Sequence, residues 1–133
     1  MSLDPYQLRI LVIRPTLNTL GHWSKEAEEL VLGTAIQESN LRYLRQMNGG
    51  PAIGLWQMEP ATHKDIWDNY LSARAKLGMK VLGPYSRPDP GRMAWALAYA
   101  CAMCRIHYLR APEAVPPAGD VVRQAEYWKR WYN

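Results

Sequence analysis

The chain has 133 residues, 48% hydrophobic and 21% charged, a composition that excludes a disordered protein and a length that suits one domain. Lysine and arginine total 16 against 12 acidic residues, a net charge of +4 that is scattered and lacks the basic run of a nucleic-acid arm. So mild a positive field suits any anionic partner, whether nucleic acid, lipid surface or bacterial cell-wall polymer. Six Trp and eight Tyr with no Phe supply flat apolar faces with polar handles, fit for sugar or base stacking as well as for a core.

Asp4-Pro5 reads as an N-cap followed by proline at the first helical position, and predicts a helix from about Pro5 to Arg14 that Pro15 kinks or ends. Leu8 to Ile13 is too short, and too interrupted by Arg9, for a signal peptide. Ser24 caps a second predicted helix running to about Ser39, with Glu26, Glu28 and Glu29 in its first turns, where the helix dipole favours acids. Ala27, Leu30, Val31, Thr34 and Ala35 fall on one face of it. Leu41 to Trp56 reads as irregular, broken at Gly49-Gly50-Pro51, with a short strand or hairpin around Ile53 to Met58. A third helix is predicted over about Ala61 to Leu77, with Ile66, Trp67, Tyr70 and Leu71 inward and Gly78 as its stop. Gly78 to Gly91 reads as loop. Met93 to about Arg110 is apolar all round in its first turns, the mark of a buried central helix. After Pro112, Pro116 and Pro117, Asp120 caps a last helix through about Tyr132. The longest uncharged apolar run, Met93 to Cys104, has 12 residues and cannot span a bilayer as a helix. Cys101 and Cys104 have CxxC spacing, but they lie inside this run with no strand before them. Buried free thiols are expected rather than a redox or metal pair. Trp67 and Trp95 sit at core spacing, and Trp128 and Trp131 on the last helix read as a docking face.

Glu38 continues the apolar stripe of the second helix and places a carboxyl on its inward face. Desolvation disfavours the charged form of such a group, which is what a general acid working near neutrality requires. The alternative is a carboxylate that reaches solvent or pairs with Arg42 at i+4. Glu38-Ser39 is followed after a loop by Gly54-Leu55-Trp56-Gln57-Met58-Glu59-Pro60-Ala61-Thr62, and later by Ala96-Leu97-Ala98-Tyr99. Over roughly Ala27 to Tyr108 this resembles the lysozyme-like superfamily, specifically the soluble lytic transglycosylases and goose-type lysozymes. The segments His107-Tyr108-Leu109-Arg110 and Tyr127-Trp128-Lys129-Arg130 resemble small bacteriophage members of the group.

The resemblance implies a mainly α, lysozyme-like α+β fold over residues 1–133: a central buried helix among helices, with a short irregular or β segment after the Glu-Ser helix. It implies that Glu38 protonates the glycosidic oxygen between N-acetylmuramic acid and N-acetylglucosamine, and that Gln57 lines the saccharide cleft. Ser39 matches the serine beside the acid, with a competing role in ending the helix. Gly54 fits backbone passing close to sugar, Trp56 offers a ring for stacking where the family commonly has Met, and Tyr99 is divided between cleft and core. Ala100 stands where the family carries Asn, so any contact which that Asn makes is missing or supplied elsewhere. Glu59 stands where goose-type lysozymes carry an aspartate, which makes it a candidate base for inverting hydrolysis; the competing role is a charge at the start of the next helix.

The expectation is peptidoglycan cleavage by lytic transglycosylase chemistry, with no metal or organic cofactor, because carboxyls suffice at a glycosidic bond. Inverting hydrolysis with Glu59, or a non-enzymatic structural or wall-binding module, are the alternatives. Expected partners are glycan strands and other phage virion proteins, with neither nucleic acid nor membrane insertion. With no signal peptide read, the expected location is the phage virion, or the host cytoplasm before delivery to the wall.

Overall fold

The computed structural model of the protein describes residues 2–133. The chain is mainly α, and three of its helices begin at side-chain caps that the sequence supplies. Asp4 accepts a hydrogen bond from the Gln7 amide (2.9 Å) at the start of α1, Pro5–Leu8. Ser24 does the same for Ala27 (3.1 Å) at α3, Lys25–Ser39, and Asp120 for Arg123 (3.1 Å) at α7, Val121–Trp131.

Pro15 does not end the first helix. The chain widens into a π turn over Arg9–Ile13 and continues as α2, Arg14–Leu20. The wider turn, in which the Arg14 amide reaches back to the Arg9 carbonyl, carries the helix past a residue whose ring and missing N–H would break a regular turn. Gly21, at φ 77°, then stops it.

The predicted third helix is two helices, α4 over Pro60–Asn69 and α5 over Ala75–Leu82, joined by a 3₁₀ turn at Leu71–Ala73. Gly78 lies within α5 and is not its stop. It faces the Trp67 ring of α4, where a Cβ would come to 3.4 Å, an ordinary contact. The segment after α3 forms a 3₁₀ turn at Met47–Gly49 and isolated antiparallel bridges, Arg45 with Ile53 and Ile53 with Met58.

A 3₁₀ turn at Pro90–Ala94 leads into α6, Leu97–Leu109, which is buried along nearly its whole length and packs against α2, α3, α4 and α5. Arg105 on α6 donates to the His22 carbonyl (3.0 Å) and ties this helix to the α2–α3 turn. Cys101 and Cys104 are buried free thiols, and burial raises both above the ordinary thiol range. Among the described residues no helix is long and apolar enough to cross a membrane.

Candidate active site

Glu38 is the last side chain but one of α3. The next two residues after the helix, Asn40 (φ 52°) and Leu41 (φ 57°), both take the left-handed conformation. Asparagine tolerates that region, whereas a buried leucine is strained in it. The chain thus leaves the helix abruptly, one residue beyond the carboxyl.

Glu38 is half-buried, and its Oε2 accepts a hydrogen bond from the indole Nε1 of Trp128 on α7 at 2.9 Å. Burial raises the Glu38 carboxyl above the usual range, and the Trp128 bond draws it part of the way back. Among the described residues Glu38 forms no ion pair, because α3 ends before Arg42 completes an i+4 turn. The Arg42 guanidinium instead lies 5.7 Å from the centre of the Tyr43 ring. A lifted carboxyl with a neutral donor and no cation holds a proton more readily than an ordinary surface glutamate does.

The wall behind Glu38 is aromatic and hydrogen-bonded. One turn back on α3, Thr34 Oγ1 shares a 2.7 Å hydrogen bond with the Tyr108 hydroxyl of α6. Tyr108 packs against Tyr127 and Tyr132 at ring-centre distances of 5.6 and 5.3 Å. The Tyr132 hydroxyl donates to the Trp56 carbonyl at 2.6 Å, which brings the Gly54–Gln57 turn and the chain's C-terminal end together.

In that turn Gln57 is half-buried with φ 49°, and its Nε2 donates to the Gly54 carbonyl at 2.9 Å. Glu59 is exposed at the N-cap of α4 and makes no side-chain cap bond.

Three residues expected in the saccharide cleft are instead used internally, and Tyr99, divided between cleft and core, takes the core. Trp56 is 1% exposed and donates to the Val31 carbonyl (2.9 Å), so neither face of its ring is open for stacking. Ser39 is 2% exposed, and its hydroxyl returns to the Ala35 carbonyl (3.0 Å), the local bonding that competes with any role beside the acid. Gly54, at φ 81°, is required by the protein itself, since a Cβ would lie 2.3 Å from the Met93 carbonyl oxygen. Tyr99 is 3% exposed. Its hydroxyl accepts from Trp67 Nε1 (3.1 Å) and shares a hydrogen bond with His63 Nε2 (2.7 Å). Burial lowers His63 to about 4, so the ring that meets Tyr99 is neutral near pH 7.

Two further corrections concern tryptophans. Trp95 was expected in the core and is 65% exposed, edge-on to Tyr85. Trp128 was assigned to a docking face and instead touches the candidate acid. No short-range pattern could have found that contact, because the partners are separated by 90 positions.

Among the described residues no group of three or more His, Cys, Asp or Glu side chains converges as a metal site. Comparison with protein-family models, curated proteins and solved structures finds no match to the chain.

Proposed function

We propose that this protein is a lysozyme-like domain that cleaves the β-1,4 bond between N-acetylmuramic acid and N-acetylglucosamine in peptidoglycan, with Glu38 as general acid and then base. The observation that carries the reading is the Glu38 carboxyl, raised by burial and held by an uncharged donor at the end of α3. The Glu-Ser and Gly-Leu-x-Gln resemblance, and a buried central helix in α6, support it.

In the reaction Glu38 gives its proton to the glycosidic oxygen as the bond to C1 of the muramic acid breaks. The C6 hydroxyl of the same sugar attacks C1 and passes its proton to the Glu38 carboxylate. The product carries a 1,6-anhydro end, and the enzyme returns to its starting protonation state. One carboxyl serves both proton transfers. We place the activity in a bacteriophage, with the cell wall as target and other virion proteins as neighbours.

An inverting hydrolase is the second reading. It is favoured by Glu59, whose exposed side chain is not committed to capping α4 and is available to activate water.

The test is digestion of purified peptidoglycan beside a Glu38→Gln control, with products read by mass spectrometry. Fragments with 1,6-anhydro ends are expected. Ordinary reducing ends would replace the transglycosylase by the hydrolase and make Glu59 the next residue to mutate. No Glu38-dependent product from walls of several hosts would overturn the enzyme and favour a wall-binding or structural module.

A further inference from the structure

We propose that Trp128 is the positioning residue of the acid, confining the transferable proton of Glu38 to Oε1; the assignment rests on the reading of Glu38 as proton donor. An indole Nε1–H donates and never accepts. With Trp128 Nε1 2.9 Å from Oε2, that oxygen is occupied as an acceptor in both protonation states. The carboxyl proton therefore resides on the other oxygen. A general acid gains from this, because a carboxyl whose proton can sit on either oxygen presents the wrong one to the leaving group for part of the time.

The chemistry of the donor matters as much as its place. An arginine or lysine here would pull the carboxyl down to an ordinary carboxylate and remove the acid. An indole orients without adding charge. It also stabilises the carboxylate left after the first proton transfer, the form that must act as base in the second. The titratable groups that face Glu38 from the packed elements are Cys104 and Tyr108 of α6 and Tyr132, just past α7. Burial holds all three in their neutral forms, so Trp128 is the polar contact that distinguishes one carboxyl oxygen from the other.

The helix that delivers Trp128 is fixed independently of the contact it makes. Tyr127 donates to the Glu113 carbonyl at 2.8 Å, and Tyr132 donates to the Trp56 carbonyl at 2.6 Å. Both rings pack on Tyr108, which is itself bonded to Thr34 of α3. The indole is thus held from both sides of its own position on α7, and its aim does not depend on Glu38.

Trp128→Phe keeps an aromatic ring and removes the donor. On peptidoglycan, kcat is expected to fall about tenfold to a hundredfold with little change in KM. The alkaline limb of the kcat profile is expected to move to higher pH, because the contact that favours the carboxylate is gone. A merely structural Trp128 would lower activity without moving that limb, and a rate that rises would make the indole a cover over the acid; either result overturns the proposal.

A second measurement needs no activity and leaves the Trp128 side chain in place. In ¹⁵N-labelled wild-type protein the assigned Trp128 indole N–H resonance should titrate with pH, and in Glu38→Gln it should stay fixed. A resonance indifferent to Glu38 overturns the proposal whatever the wall assay shows. Wild-type protein that cleaves no wall material defeats the enzymatic reading, and with it the positioning role, even where the resonance proves the contact.

Discussion

Glu28 and Glu38 share one helix, and their surroundings drive them in opposite directions. Glu28 is fully buried; burial pushes it up, but hydrogen bonds from Arg14, Trp23 and Arg9 outweigh that and hold it at about 2. A folded-state value below the unfolded one stabilises the protein above the unfolded value, and that contribution is lost as pH falls from about 4.5 toward 2. Glu28→Gln should therefore cost about 2–4 kcal/mol near neutrality, read as a lower urea midpoint, and the variant should lose less stability than wild type between those pH values. Glu38 has the reverse sign. Its raised value means that stability is lost as pH climbs above the unfolded carboxyl value, so Glu38→Gln should be more stable than wild type at pH 7–8, and the difference should vanish in acid. Thermal melts of the two proteins across pH check this, and a more stable, inactive variant would carry the signature of a site kept for chemistry. Glu38 was legible in the sequence because helical periodicity alone puts it on the inward face. Glu28 was read only as a first-turn acid, because its burial depends on the π turn that presents Arg9 and Arg14 to α3.

At the scale of elements, what was legible follows from short-range chemistry. The caps at Asp4, Ser24 and Asp120 are local hydrogen bonds, and the helices begin where the sequence says. Pro15 does not end its helix, because a π turn carries the chain past it, and Gly78 lies inside α5, because the break in the predicted third helix falls earlier, at the 3₁₀ turn Leu71–Ala73. The cleft residues failed for a related reason. A resemblance in sequence identifies a turn, but whether Ser39, Gly54, Trp56 or Tyr99 faces substrate depends on which carbonyl or ring the packed chain brings to it. Two glycines give opposite expectations. A Cβ at Gly33, inside α3, meets nothing within 4 Å, so Gly33→Ala should raise stability by about 1 kcal/mol through helix propensity. Gly54→Ala combines a φ of 81° with a 2.3 Å clash on the Met93 carbonyl and should cost about 3 kcal/mol or more. Denaturant melts of the pair check both signs, and a tolerated Gly54→Ala would show that the turn and the segment before α6 move apart easily.

Over the whole molecule, the buried core is anchored on α6, whereas α7 contributes a single fully buried side chain, Tyr127, and leaves Val121 and Val122 exposed. A peripheral helix with little buried surface opens before the centre does. The two thiols are placed to report the order of events. Cys101 lies deep in α6 with Thr16 of α2 beside it, and Cys104 lies one turn on, beside Tyr132 at the end of α7. Thiolates react and buried thiols do not, so labelling of either cysteine measures opening of what covers it. In native buffer both should be inert to a thiol reagent, and in denaturant both should react. In the intermediate range of urea, Cys104 should be labelled faster than Cys101 and with a shallower dependence on urea, since uncovering it requires loss of α7 while uncovering Cys101 requires disruption of α2. Fragment-ion mass spectrometry assigns the label to one cysteine or the other. Equal rates with equal urea slopes would mean that α7 and the core open as one unit. The expected order would mean that Trp128 leaves Glu38 in a partial opening while the rest of the fold stands, which would tie the integrity of the acid site to the least stable helix of the protein.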